Sequence, residues 1–268
     1  MKCVHQWRAA EPLPICTKCS KHPTCSPSQI STALGCMRRW AFDRHWRDPS
    51  GPAAEYGDRC HDITERWVRD GVAPVRSTCE GRTVTSAIGL LPAPRRALAE
   101  QRVDAWLGGV LWSMRLDWID DYAPGKWVSI GDLKTTGNFS YAKSADELAT
   151  EDPQGVIYGT WAVVTYRVPL VIGSWVYAMR VTGKKEPPPA RRVRWAATRE
   201  QLAVPFAHYA TLGYALAWAR LLDPHTLPRN LDYCRAYGRP CSHLARCHGR
   251  NPPTQFDIAA SALYTLRQ

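Results

Sequence analysis

Apolar positions recur at helical spacing in the first part of the chain and alternate in its middle. Ile30, Leu34, Met37 and Ala41 form one stripe of period near 3.6. Ser26-Pro27-Ser28 precedes it, with Ser28 the expected N-cap. Cys36 falls on this helix, and Arg38, Arg39, Arg44 and Arg47 give it a basic flank. Asp48-Pro49-Ser50-Gly51-Pro52 breaks the pattern, and a second helix is expected from about Ala54 to Arg69. Residues 71–97 are weakly periodic, with Pro, Gly and Arg, and read as an excursion with little regular structure.

Alternation begins at Val103, Ala105 and Leu107, and continues in Val110–Ile119. Asp120–Gly125 carries turn signals, and Trp127–Lys134 reads as the next strand. Glu151-Asp152-Pro153 opens a helix whose Val156, Ile157, Ala162 and Val163 face a core. Val168–Arg180 is a core strand, Gly183–Pro189 an exposed connection and Arg191–Trp195 an edge strand. A long helix follows from about Thr198 to Leu222, in which Pro205 requires a first-turn position or a kink. Strands interleaved with helices give an α/β protein.

Composition narrows the partners. With 268 residues, 45% of them hydrophobic, the chain suffices for one large domain, or one domain with a small appendage. A net charge of +11, from 35 basic and 24 acidic residues, favours a polyanion, nucleic acid first. Most of the 12 Trp residues belong in the core, though some could stack on bases. No stretch approaches the roughly 18 apolar residues of a membrane span. Met1–Trp7 has no apolar signal core, so a cytoplasmic protein without membrane contact is expected.

Ten cysteines in a reducing compartment argue for metal ligation over disulfides. Cys3-Val4-His5 and Cys16-Thr17-Lys18-Cys19 have the spacing of a zinc knuckle, with His22 or Cys25 as substitutes and an unstructured segment as the alternative. Cys234, Cys241 and Cys247 need a fourth ligand. Cys36 would join the two ends of the chain, whereas His243 or His248 would close a local zinc site. Cys25, Cys60 and Cys79 read as ordinary thiols.

Catalytic chemistry centres on Asp132-Leu133-Lys134. Alternation puts Asp132 and Lys134 on one face and Leu133 on the other. A carboxylate can hold a divalent cation there while the ammonium steadies developing phosphate charge. Alone, the triplet is equally a surface ion pair worth about 0–1 kcal/mol. Its neighbours change that weighing. Asp117 falls on the adjacent antiparallel strand, Gly57, His61 and Glu65 share one helix face, and Gln154 and Tyr158 share another.

In order, Ser26-Pro27-Ser28…Cys36, Gly57…His61, Asp117, Asp132-Leu133-Lys134, Gln154…Tyr158 and Cys234…Cys241…Cys247 resemble the PD-(D/E)XK nuclease superfamily. The closer likeness is to its RecB-like exonuclease branch with an iron–sulfur staple, which includes the CRISPR-associated RecB-like nuclease and the AddB nuclease domain. The resemblance covers roughly Ser26 to Cys247. Met37, where the family often has Pro, and Met114-Arg115-Leu116, where it has a small Gly, depart from it.

The resemblance implies a restriction-endonuclease-like core, a central mixed sheet flanked by helices, with a C-terminal cysteine staple. It implies that His61, Asp117, Asp132 and the Leu133 carbonyl bind Mg²⁺ or Mn²⁺, that Lys134 acts on the water, and that Gln154 and Tyr158 position the DNA backbone. Cys36, Cys234, Cys241 and Cys247 would hold a four-iron four-sulfur cluster. The expected layout is a zinc-knuckle-like segment at 1–25, a nuclease domain at 26–250 and a tail at 251–268. The expected activity is exonucleolytic, on single-stranded or duplex DNA ends, within a recombination or replication complex of a bacterial or phage-infected cell. A structure-specific endonuclease and a non-catalytic nucleic-acid-binding module are the alternatives.

Overall fold

The structure, a computed structural model, describes residues 6–46, 51–234 and 240–248. The chain divides into two compact units. One comprises Ser50–Ala105 and Ser113–Tyr209, the other Met1–Pro49, Trp106–Trp112 and Ala210–Gln268.

The first of these is an α/β unit built on a five-stranded mixed sheet. Its strands are β3 (Leu98–Leu107), β4 (Val110–Ala123), β5 (Trp127–Thr136), β6 (Leu170–Met179) and β7 (Arg191–Thr198), in that spatial order. β5 runs antiparallel to β4 and parallel to β6, and β7 returns antiparallel. A parallel neighbour requires a crossover, supplied by α5 (Ala145–Thr150) and α6 (Pro153–Tyr166). Asp152 starts α6 by accepting the Gln154 and Gly155 N–H groups at 2.6 and 3.0 Å, and Pro153 occupies the first turn where no N–H is needed.

The sheet is a partition between two cores. Leu133, Val176, Ala178 and Trp118 face one side, packed with Cys60 and Val68 of α3 (Pro52–Asp70) and Val84 and Ala87 of α4 (Cys79–Ala87). Period two sends Asp132 and Lys134 to the opposite side, which α6 approaches: a Cβ added at Gly159 would lie 3.3 Å from Val171 and 3.2 Å from Trp195. Two strand glycines make room for indoles. A Cβ at Gly131 would fall 2.0 Å from the Trp118 ring, and one at Gly173 would fall 1.9 Å from Trp195.

α4 stands inside the stretch expected to be irregular. Apolar pattern could not reveal it, because it buries Arg82 and Thr83 with hydrogen bonds. Arg82 Nε donates to the Lys185 carbonyl at 3.1 Å and Thr83 Oγ1 to that of Met179 at 2.9 Å. α5, opened by the Ser144–Glu147 capping box, was also not anticipated.

In the other unit, Trp7–Arg8 (β1) and Ile15–Cys16 (β2) pair antiparallel. Ser26, not Ser28, caps α1 (Pro27–Gly35), accepting the Gln29 N–H at 3.3 Å. The expected single helix is broken: Cys36 is extended (φ −164°, ψ 113°) between α1 and α2 (Met37–His45). α7 (Arg199–Ala219) carries Pro205 beyond its first turn, and α8 (Leu244–His248) ends the described chain. No helix among the described residues is long and apolar enough to cross a membrane.

Candidate active site

The pairing of β4 with β5, whose register shifts between Ile119 and Tyr122, extends to Trp118–Gly131. Beyond that step the Leu133 N–H donates to a side chain, Asp117 Oδ2, at 2.7 Å. The same carboxylate oxygen lies 3.0 Å from His61 Nδ1. Strand pairing therefore gives way to a carboxylate at the point where the expected acidic residues meet. Leu133, expected to offer its carbonyl, contributes its N–H to this contact. His61 arrives on α3, where Gly57, one turn earlier, lets the helix approach Thr135: a Cβ there would sit 3.2 Å from Thr135 Oγ1.

Asp132 and Lys134 are joined through α6. Gln154 Nε2 donates to Asp132 Oδ1 at 2.6 Å, and Lys134 Nζ donates to Gln154 Oε1 at 2.6 Å. Lys134 Nζ also lies 2.7 Å from Asp132 Oδ2. That ion pair compensates the buried Oδ2. One turn along α6, the Tyr158 hydroxyl donates to the Arg115 carbonyl at 2.7 Å and lies 3.3 Å from the Arg115 N–H. Tyr158 thus fixes β4 two residues before Asp117.

Charges follow burial first. Asp132 is 2% exposed, and desolvation raises its pKa to about 6 despite Lys134, with Asp117 adding to the rise. Burial pulls the half-exposed Lys134 ammonium down, but Asp132 outweighs it and keeps the amine above its ordinary range. Burial likewise opposes protonation of His61, and Asp117 overcomes it. Tyr158 is pushed up to about 12, chiefly by burial and then by Asp132.

Sequence reasoning passed over Arg115. It shares the strand face of Asp117, and its guanidinium donates to Glu100 Oε2 at 2.5 Å. Glu100, a non-glycine residue at φ +40°, also binds Arg102 at 2.9 Å. Burial raises Glu100, and Arg115 and Arg102 reverse this, holding it at about 2. Glu65, paired with Arg69, is raised by burial and by its hydrogen bond to Glu100. The signal for Arg115 was available as the i−2 partner of Asp117.

The cysteines gather in the other unit. The Asn230 N–H points at Cys36 Sγ at 3.4 Å, Arg38 Nη1 lies 3.9 Å from Cys247 Sγ, and Cys241 N donates to the Cys234 carbonyl at 2.7 Å. Cys234 is pushed up to about 11 by burial and then by Cys36, Cys247 and Cys241. His243 is not placed to be the fourth ligand. Buried at 1% exposure, it holds Asp43 Oδ1 at 2.8 Å with Nε2, and Arg246 Nη1 lies 3.1 Å from its Nδ1, so both ring nitrogens are engaged. No disulfide joins the described cysteines.

Of the expected N-terminal zinc ligands, Cys3 and His5 lie outside the described residues. Cys16 and Cys19 sit on a tight turn in which Ser20 (φ +56°) donates its N–H to the Cys16 carbonyl at 2.9 Å. His22 Nδ1 instead lies 3.2 Å from the Pro14 carbonyl. Among the described residues, no group of three or more His, Cys, Asp or Glu side chains is arranged to hold a metal ion. In the candidate active site, Gln154, Lys134 and the Leu133 N–H close the polar network instead.

Comparison with known proteins adds little. No protein-family model matches the chain. No curated protein sequence matches it. The crystal structure of SSO0001 aligns over 88% of this chain and 91% of its own at 13% identity, with a TM-score of 0.41. A likeness of that degree carries no argument about fold or function.

Proposed function

We propose that this chain is a divalent-metal-dependent nuclease of the PD-(D/E)XK type that hydrolyses phosphodiester bonds in DNA. The observation that carries the reading is the Asp132–Gln154–Lys134 triangle beside Asp117 and His61, two carboxylates, an imidazole and an ammonium gathered at one strand end. Burial raises Asp132 and the nearby Asp117 carboxylate raises it further, and a hard cation would offset both. Asp132, Asp117, His61 and the Leu133 carbonyl are an oxygen-rich donor set that fits Mg²⁺, and the imidazole inclines it to Mn²⁺. Bound there, the cation would lower the pKa of a water and offset charge on the scissile phosphate.

The chain's own groups divide the remaining work. Lys134 presents an ammonium, kept charged by Asp132, to water and to negative charge developing at phosphorus. Gln154 orients Lys134 and Asp132 together through its two amide atoms. Tyr158 holds β4 at Arg115 and so sets the position of Asp117. His61, through Nδ1, orients the Asp117 carboxylate. Cys36, Cys234, Cys241 and Cys247 would hold an iron–sulfur cluster in a structural role, and the engagement of both His243 nitrogens supports Cys36 as the fourth ligand.

The test is digestion of end-labelled linear DNA and closed circular DNA with Mg²⁺ or Mn²⁺. Cleavage of the linear substrate alone is expected, abolished by Asp132→Ala and by Lys134→Ala. Full cleavage by both variants would overturn the reading. The competing reading is a binding module without turnover, which needs the basic surface but not Asp132 or Lys134. That module would bind DNA in a salt-sensitive manner and leave both substrates intact.

A further inference from the structure

β2 runs into a turn that brings the chain back on itself by Lys21. The Ser20 N–H donates to the Cys16 carbonyl at 2.9 Å, and the Cys16 N–H donates to the Lys21 carbonyl at 2.9 Å. A bond from residue i+4 to residue i gives one helical turn, in which residues three apart share a side. Cys16 and Cys19 occupy those two positions. Cys16 is buried at 1% exposure, whereas Thr17, Lys18 and Lys21 are exposed. Ser20 makes the reversal at φ +56°, a left-handed conformation that side chains disfavour.

The start of the chain is fastened to the same turn. Trp7 pairs with Cys16 and Arg8 with Ile15. The Gln6 carbonyl accepts both the Thr17 N–H at 2.8 Å and the Thr17 hydroxyl at 3.2 Å. Gln6 is thus held against a residue that stands between the two cysteines in sequence. Cys3 and His5 lie outside the described residues, but chain length limits where they can be. Three residues and one residue from Gln6, their Cα atoms fall within about 11 Å and about 4 Å of its own. The spacing C-x-H therefore meets the spacing C-x-x-C by connection alone.

Two strands of two residues each are marginal by themselves, and a left-handed serine weakens the turn that follows them. Zinc would supply the missing constraint, since it takes four Cys or His donors in a tetrahedron and contributes folding energy to small segments outright. The other His and Cys of this segment are engaged. His22 Nδ1 lies 3.2 Å from the Pro14 carbonyl, and its ring meets Trp106 edge-on, the centroids 5.5 Å apart. Cys25 is tied to β4 by its N–H, which the Leu111 carbonyl accepts at 2.8 Å, and its Sγ lies 3.9 Å from the Ser26 carbonyl. We propose that Cys16 and Cys19, together with Cys3 and His5, bind one zinc ion that clasps the first residues of the chain to the turn after β2. The three thiols bind as thiolates and release their protons to solvent. The site shares no residue with the candidate active site or with the Cys36 group, and it stands apart from the nuclease reading.

Elemental analysis of the full chain, purified without chelator, reads the zinc content. Cys16→Ser with Cys19→Ser, and separately Cys3→Ser with His5→Ala, should each lose one equivalent of zinc, whereas His22→Ala keeps it. Trypsin gives a second reading on the wild-type protein, which holds even where a variant misfolds. Lys18 and Lys21 are exposed within the turn, so cleavage after them should be slow with zinc bound and fast once 1,10-phenanthroline has removed it. Added Zn²⁺ should restore the protection, and added Mg²⁺ should not. Wild-type protein without zinc, an unchanged zinc content in the Cys16→Ser, Cys19→Ser variant, or cleavage at Lys18 and Lys21 that ignores zinc would each overturn the proposal. Zinc lost from His22→Ala but kept by Cys3→Ser with His5→Ala would overturn the assignment of Cys3 and His5.

Discussion

Asp132 is the residue whose surroundings cost most in the absence of a cation. Its folded pKa of about 6 lies above the ordinary 3.8, so the folded form holds the proton more tightly than the unfolded chain. Stability therefore falls as pH rises from about 4 to about 6, and stays reduced above that. In EDTA at pH 7, Asp132→Asn removes this penalty but leaves the Lys134 ammonium without its carboxylate, so the variant should gain no stability while losing cleavage. Asp132→Asn combined with Lys134→Met, which removes the stranded charge as well, should be more stable than the single variant. Thermal denaturation of wild type and both variants reads this directly, and a single variant markedly more stable than wild type at pH 7 would contradict it. Asp132 and Lys134 were legible because strand alternation puts i and i+2 together, and Gln154 and Tyr158 because helical spacing does the same for i and i+4. The Leu133 N–H was not legible, because a main-chain donor bears no mark in sequence. Nor was the left-handed backbone of Glu100, which is dictated by its neighbours rather than by its own side chain.

At the scale of elements, the closest constraint on the site is the crossing of Trp118 over Gly131, one residue from both Asp117 and Asp132. Gly131→Ala forces a methyl into the indole, and overpacking of this kind typically costs 1–3 kcal/mol, occasionally more. A fall in melting temperature is expected, together with reduced cleavage, because Trp118 can yield only by displacing Asp117. Gly89→Ala is the control: an added Cβ there meets nothing within 4 Å, and its melting temperature should stay near wild type. Strands and long helices were legible to within a few residues, since each buries a regular apolar face. α4 escaped because Arg82 and Thr83 are buried on main-chain carbonyls beside Val84 and Ala87, which leaves its apolar face too short to read, and the α1–α2 break escaped because the apolar stripe continues across it.

For the molecule as a whole, the net charge of +11 would give the proposed DNA binding a marked salt dependence. The contacts of Cys36 with the Asn230 N–H and of Cys247 with Arg38 join residues some 200 positions apart. Anaerobically purified protein should be brown and absorb near roughly 400 nm, as thiolate-ligated iron–sulfur clusters do, and Cys36→Ser should lose both colour and thermal stability. Elemental analysis finding zinc without iron would rule the cluster out. The grouping of Cys36 with the later thiols is implied by resemblance, not by spacing.

The division of the chain into units sets a schedule for synthesis. Met1–Pro49 belongs with residues that follow Ala210, whereas the sheet and its helices lie almost wholly between Ser50 and Tyr209. As the polypeptide leaves the ribosome, domains fold once their residues have emerged. The sheet can therefore be complete while the opening segment, with Cys16 and Cys36, still waits for its partners. Nascent chains stalled where Tyr209 has just left the ribosome should resist protease from α3 to β7 yet be clipped within α1 and α2. The earliest-made cysteines are then the last to be protected, and they remain open to oxidation for the longest interval of biosynthesis.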